Sequence, residues 1–297
     1  MASVQDLKRR IKSIRNTRKI TKAMELVASA RLRRAQARIE AMRPYADRMM
    51  ELMIGTARAS SSVRGLPLLQ RREEVRSVAI LPLTGDRGLA GAFNAQVLRH
   101  ALALGRSLEA EGKRVRWLAS GRKGASTLRF RRLEVLQAWT GYSDRPTYAD
   151  AQALAHKAAE LYVGEEVDRV VIVYNRFVSP LVQQVVEQEV LPIPEHVLES
   201  GGEDERREAI LGDFIYEPEP EQILERLLPV YVETELYRAL LESAASEQGA
   251  RMTAMRNASK NAGELIDTLT LAMNRARQAE ITQEILEVVA GADALTQ

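Results

Sequence analysis

From Val230 to Val289 the chain runs without a proline and with only two glycines, Gly249 and Gly263. Within that run Ala258, Ala262, Leu265, Leu269, Ala272, Ala276 and Ala279 recur at alternating spacings of four and three. This is the seam of a heptad repeat, in which one helical stripe must be covered by another helix. A helix of about seventy residues is on the order of 100 Å long at ~1.5 Å per residue, more than one globular core can cover. Much of the seam is alanine, so the covering helix can approach closely.

The first fifty-odd residues supply such a partner. Ala35, Ile39, Met42, Ala46, Met49, Met53 and Thr56 repeat the four-three spacing, as do Val4, Leu7, Ile11 and Ile14 upstream. Arg18 and Thr21 fall on the seam between them, which predicts either a slip in register or a polar layer. Both patterns outlast the ~25 residues beyond which an uncapped helical pattern signals a coiled coil, a membrane span or a repeat. The economical arrangement winds the two terminal helices together antiparallel, with the intervening chain folded at one end. This gives an N-terminal coiled-coil helix over 1–58, a linker over 59–75, an α/β domain over 76–212 and a C-terminal coiled-coil helix over 213–297.

Aromatic residues are only 5% of the chain against 45% hydrophobic overall, which suits helices packed by Ala, Leu and Met better than a large enzyme core. Residues 1–50 hold fourteen Lys or Arg and four Asp or Glu, so the first helix is strongly basic. Three readings of that face stand open: a solvated surface, a nucleic-acid contact, or a helix running through an acidic protein environment. The second lacks stacking groups, since no aromatic precedes Tyr45. Without cysteine the chain has no disulfide, thiolate metal site or thiol switch. No apolar run approaches the ~18–20 residues of a membrane helix. The N-terminus has no apolar core of the signal-peptide type and joins directly to the heptads. The chain reads as soluble, cytoplasmic and held at a membrane only through partners.

Ser3 is placed to cap the first helix, with Asp6 three residues on, and Pro44 is expected to kink it. Short β-like runs then alternate with helical ones. Strands are expected at 76–83, 114–119, 132–139, 167–177 and 182–192, the last two forming a hairpin about Ser179-Pro180. Helices are expected at 91–112, near 123–128 and at 147–163, the last carrying a Thr147/Asp150 capping pattern. Such alternation predicts a three-layer, Rossmann-like α/β domain with a mainly parallel sheet. Residues 195–212 read as a polar, acidic loop. Pro218 and Pro220 mark the start of the last helix, and Pro229 is expected to bend it.

Gly85-Asp-Arg-Gly-Leu-Ala-Gly91 follows a strand and opens a helix, the position of a phosphate-binding loop. Its spacing is neither the dinucleotide fingerprint nor the P-loop, and tight turning with close helix–sheet packing explains the glycines without a ligand. His100, His156 and His196 lack metal-ligand spacing. No residue pattern marks a catalytic group, and no cofactor or metal is expected. Two readings from other classes are a nucleotide-binding α/β enzyme with a coiled-coil arm, and a nucleic-acid-binding coiled coil.

Several segments carry a resemblance. Ile281-Thr-Gln-Glu-Ile-Leu-Glu-Val-Val-Ala-Gly-Ala292, Ser246-Glu-Gln-Gly-Ala-Arg-Met-Thr-Ala-Met255 and Asn274-Arg-Ala-Arg-Gln-Ala279 resemble the gamma subunits of F-type ATP synthases. So do Ile11-Lys-Ser-Ile14, Lys19-Ile-Thr-Lys-Ala-Met24, Asp86-Arg-Gly-Leu-Ala-Gly91 and Phe214-Ile-Tyr-Glu-Pro218. The resemblance implies a rotor shaft: a coiled coil inside a ring of three alpha and three beta subunits, above an α/β domain beside epsilon and the c-subunit ring. Proton-driven rotation of that ring would drive the catalytic beta subunits, with ATP chemistry belonging to beta. By motif, Met24, Arg251, Gln278, Thr282 and Glu284 look like contacts with beta, and Phe214, Tyr216 and Glu217 like contacts with the c ring. The resemblance implies no nucleic-acid partner and only an indirect link to the membrane. The Ala90-Gly-Ala-Phe93 turn departs from the commoner family wording, which bears on packing alone. A cysteine-bearing insertion of the chloroplast type is absent, which favours a bacterial complex.

Overall fold

The computed structural model describes residues 3–60, 65–194 and 217–296. In chain order these form α1 (Val4–Ala59), β1 (Ser77–Pro82), α2 (Phe93–Ala110), β2 (Arg114–Ser120), α3 (Arg122–Phe130), β3 (Val135–Trp139), α4 (Tyr148–Val163), β4 (Arg169–Phe177), β5 (Gln183–Leu191) and α5 (Pro220–Thr296). The expected loop at 195–212 lies outside the described residues. The chain divides into two compact units, one of Met1–Ala28 with Arg251–Gln297 and one of Ser29–Ala250.

In the first unit the two helices pair antiparallel. Arg256 Nε donates to Glu25 Oε1 at 3.0 Å. A Cβ on Gly263 would stand 3.5 Å from the guanidinium carbon of Arg18. At both contacts the residue numbers add to 281, as an antiparallel register requires. On α1, Leu7, Ile11, Thr21, Glu25 and Ala28 are buried, with Val4 and Ile14 half-buried, so the three-four line continues without a slip. The expected irregularity is therefore a polar layer. Thr21 Oγ1 donates to the Arg18 carbonyl at 3.1 Å, and Glu25 accepts from Lys22 as well as Arg256. Buried polar groups satisfied in this way cost little. Ser3 Oγ accepts from the Asp6 amide at 3.2 Å and caps the helix as its position suggested.

The seam of α5 differs from the expected one. Met252, Met255 and Ile266 are buried and Ser259, Ala262, Leu269, Met273 and Ala276 half-buried, whereas Leu265 is 47% exposed and Ala272 and Ala279 are exposed. Ile266 and Met273 thus take the places expected of Leu265 and Ala272, a turn of about 100° around the helix at those positions. Adjacent apolar pairs let periodicity choose either member. The line running on from Met252 and Met255 reaches the second.

In the second unit the sheet order is β3-β2-β1-β4-β5. β1, β2, β3 and β4 are parallel neighbours, and β5 closes one edge antiparallel to β4 through a turn in which Ser179 and Val182 exchange backbone bonds. Alternate strand residues face opposite layers, as the pleat demands. Val78, Ile80, Trp117, Val171 and Val173 pack with α2 and α3. Ala79, Leu81, Leu118, Ile172 and Tyr174 pack with α4, Met53 of α1 and Leu224 to Leu240 of α5. Both faces being covered explains why the strands read as continuous apolar runs. A Cβ on Gly105 of α2 would lie 2.7 Å from Trp117, so glycine makes room for the indole.

Within this unit Ser60 Oγ donates to Glu221 Oε1 at 2.7 Å, again on numbers adding to 281. Met49, Met53 and Thr56 are buried on the expected line. α5 opens at Pro220, where the missing N–H is not needed, and the helices continue through Pro44 and Pro229. The segment read as a linker is anchored where described: Leu68 and Leu69 are buried, and Ile193 N–H donates to the Leu68 carbonyl at 2.9 Å.

Ile172 is 0% exposed between two layers; Ile172→Ala is expected to lower unfolding stability by about 3 kcal/mol in a denaturant titration. The Lys22 ammonium, followed by the Arg256 guanidinium, holds the Glu25 carboxyl below its usual pKa of 4.5. Its contribution is present above that value and lost as pH falls through the depressed one. Glu25→Gln is expected to cost about 1 kcal/mol at pH 7, with the difference shrinking in melts taken progressively below pH 4.5.

Candidate functional site

The loop after β1 is the position at which α/β sheets bind phosphates, and its Asp86 carboxylate reaches three backbone amides of neighbouring segments. Asp86 Oδ1 accepts from the Arg122 amide at 2.9 Å, at the start of α3. Asp86 Oδ2 accepts from the amides of Gly141 at 2.8 Å and Ser143 at 3.1 Å. Gly85 N–H donates to Asn94 Oδ1 at 2.8 Å. A negative charge with peptide donors turned toward it acts as a built-in anion at this helix end.

The two described histidines pair with carboxylates: His100 Nε2 lies 2.8 Å from Glu187, and His156 Nε2 lies 3.3 Å from Glu233. His196 lies outside the described residues. Glu233, 5% exposed on α5, also accepts from the Tyr148 hydroxyl at 2.7 Å and from Gln152. Burial first, and the bond to Glu233 second, push the Tyr148 hydroxyl pKa up. This cluster brackets α4 to α5 and leaves no activated nucleophile.

The residues singled out by motif do not form one site. Gln278, Thr282 and Glu284 share two exposed turns of α5, with Thr282 Oγ1 donating to the Gln278 carbonyl at 2.9 Å. Arg251 lies about 40 Å away along the same helix and is 7% exposed, so it is mostly covered by its own chain. Met24 is half-buried on α1. Glu217 is exposed just before α5, while Phe214 and Tyr216 lie outside the described residues.

Register explains the exposed turns. Numbers adding to 281 carry Val4, the first helical residue of α1, to Arg277. From Arg277 to Ala290 every residue of α5 is exposed, including Ile281, Ile285, Leu286, Val288 and Val289 at 47–73%. An uncovered apolar stripe of this size marks an interaction surface. Their spacing in the sequence lies beyond Ala279, the last residue of the expected seam.

A second surface faces solvent on α1. Lys12, Arg15, Arg18, Lys19 and Lys22 line an open groove of about 1140 Å³ with Leu26. Among the described residues, Lys12, Arg15, Arg18 and Lys19 have no carboxylate within ion-pair distance. Such a face attracts acidic surfaces and is weakened by salt. Ending the chain after Arg277 removes a stretch of α5 that is exposed at every residue from Gln278 to Ala290. It is expected to shift the melting temperature of the isolated chain by less than about 3 °C in a circular-dichroism melt.

A family model described as ATP synthase matches residues 3–295. An ATP synthase gamma chain from Rubrobacter xylanophilus is 50% identical over 299 residues, covering 99% of each chain. One from Nostoc punctiforme is 45% identical with both chains covered in full, and one from Moorella thermoacetica is 45% identical over 99% of this chain. Among solved structures, a central stalk and c-ring chain of Tetrahymena thermophila mitochondrial ATP synthase matches with TM-score 0.60 and 28% identity, covering 81% of this chain and 99% of that one. A chain of Euglena gracilis mitochondrial ATP synthase shares the fold with TM-score 0.67 at 17% identity. With near-complete coverage at such identity, and with paired terminal helices and an α/β domain, the chain belongs to the ATP synthase gamma-chain family.

Proposed function

We propose that this chain is the central-stalk rotor subunit of an F-type ATP synthase, coupling proton-driven rotation of a c ring to ATP synthesis or hydrolysis at catalytic beta subunits. The observation that carries the reading is the stretch of α5 from Arg277 to Ala290, exposed at every residue and without a partner helix among the described residues, continuous with a registered coiled coil. A stiff pair of helices resists twisting, and a bare apolar tip can turn inside an apolar sleeve with little friction.

The chain carries torque and does no bond chemistry on this reading. Support comes from the loop after β1, whose Asp86 carboxylate accepts the amides of Arg122, Gly141 and Ser143, and from the carboxylate-paired histidines. Partners are three alpha and three beta subunits, epsilon and the c ring. Among the described residues no helix is long and apolar enough to cross a membrane, so attachment at the cytoplasmic face would be peripheral, through the c ring. Gln278, Thr282 and Glu284 at the tip, with Met24 and Arg251 lower down, are the proposed contacts with beta. Arg251, being largely covered, must rotate outward to reach one. Phe214, Tyr216 and Glu217 are the proposed contacts with the c ring.

A tagged chain is expected to pull down alpha and beta from a reconstituted mixture and to restore ATPase assembly. Recovery of bound nucleotide on the isolated chain, without subunit assembly, would sink the reading. Truncation past Gln278 is expected to lower ATP-driven proton pumping several-fold while the complex still assembles, because the paired part of the coil remains. Loss of the assembled complex on removing only 292–297 would contradict this.

A further inference from the structure

In open α/β sheets the crevice for ligands lies beyond the carboxyl ends of the strands, where the strand order reverses. Here that reversal falls between β1 and β4, and helix α5 fills the crevice. Four consecutive residues make the contact. Ser246 Oγ donates to the carbonyl of Asn175, near the end of β4, at 2.9 Å. Glu247 packs on the loop after β1, where a Cβ on Gly85 would lie 2.8 Å from its carboxylate. Gln248 Nε2 donates to Asp144 Oδ1 at 3.1 Å. A Cβ on Gly249 would lie 3.1 Å from the Pro180 carbonyl in the β4–β5 turn. Successive residues on a helix point about 100° apart, so these contacts surround the helix. Ser246, Glu247 and Gln248 are each no more than 1% exposed.

Asp144 joins the surrounding loops to both helices. Its Oδ2 lies 2.8 Å from Arg31 Nη1 of α1 and 3.3 Å from Arg87 Nη1 of the loop after β1. Asp86 in turn fixes the loop that carries Asp144, through the amides of Gly141 and Ser143. Apolar packing of Leu224 to Leu240, with Glu233 accepting from Tyr148 and Glu235 from Gln188, holds α5 against the sheet, and the directional bonds at Ser246 and Gln248 add resistance to turning near the end of the unit.

We propose that these loops form a torsional collar on α5, with Asp144 as its positioning residue, and that the collar is where twist passes between the helix and the α/β domain. This rests on the rotor reading. The collar covers nearly the last residues of its unit, so twist applied to α5 beyond Arg251 meets it first. The Asp144 and Arg31 side chains are 26% and 42% exposed, so salt weakens that pair, whereas the Gln248 side of the contact is buried.

Two measurements test it. In the isolated full chain, Asp144→Ala is expected to speed amide hydrogen exchange at 244–250 about ten-fold, the loss of about one charge-assisted bond. Amides at 224–240 should keep their rates. Gly85→Ala, which pushes a methyl group into Glu247, should act on the same amides. In the complex assembled with alpha, beta, epsilon and c ring, Asp144→Asn and Arg31→Gln should each lower protons pumped per ATP hydrolysed at least about two-fold with hydrolysis unchanged. The double variant should be no worse than the poorer single one, because both cut the same contact. Unchanged exchange in both Asp144→Ala and Gly85→Ala overturns the collar whatever the chain does. Faster exchange with an unaltered pumping ratio overturns it as the path of twist. Failure of the wild-type chain to assemble overturns the rotor reading instead, and the exchange result then judges the grip alone.

Discussion

The antiparallel register of α1 against α5 is the constraint on which the other features depend. Residue numbers adding to 281 pair Glu25 with Arg256 and place Arg18 against Gly263 in one unit, and pair Ser60 with Glu221 in the other. A single-residue slip would move each seam residue around its helix by about 100° and would leave Glu25 buried without its arginine. The polar layer of Thr21 and Glu25 therefore works as a register mark. An apolar stripe alone tolerates sliding by a heptad, whereas a buried carboxylate does not.

That register also settles what remains uncovered. Because Val4 corresponds to Arg277, no helix among the described residues lies beside the stretch beyond it, and its apolar residues as far as Val289 face outward. The apolar tip and the basic groove on α1 differ in physical character. One associates by burying area without preferred direction, the other by charge acting over a Debye length of about 8 Å. A surface of the first kind suits a contact that must turn, and one of the second kind suits transient attraction to acidic loops.

The α/β domain shows how a fold's usual ligand position can be given to its own chain. Asp86 takes the amides that would attract an anion, and α5 fills the crevice at the strand-order reversal. The glycines follow from this. Gly85 and Gly249 make room for the close approach of the Glu247 carboxylate and the Pro180 carbonyl, which accounts for a glycine in mid-helix despite a cost of about 1 kcal/mol relative to alanine. As sequence alone, Gly85 belongs to a weak phosphate-loop pattern that packing also explains, and Gly249 is one of two glycines in a long helical run.

The sequence by itself determined the two long helices, the alternation of strands and helices, the hairpin at Ser179-Pro180 and the caps at Ser3 and Thr147. These depend on periodicity and local hydrogen bonding, which neighbouring residues encode. The family was equally legible, through motifs spread along the whole chain. Only the tertiary structure decided between Leu265 and Ile266 as the seam residue, buried Arg251 away from the exposed Gln278, and brought Asp144 to Arg31 and Gln248. Each of these turns on groups distant in the chain meeting in space. An apolar pair on a helix has no preferred member until a partner covers one side. An aspartate in a loop looks like any other until folding carries two helices to its oxygens.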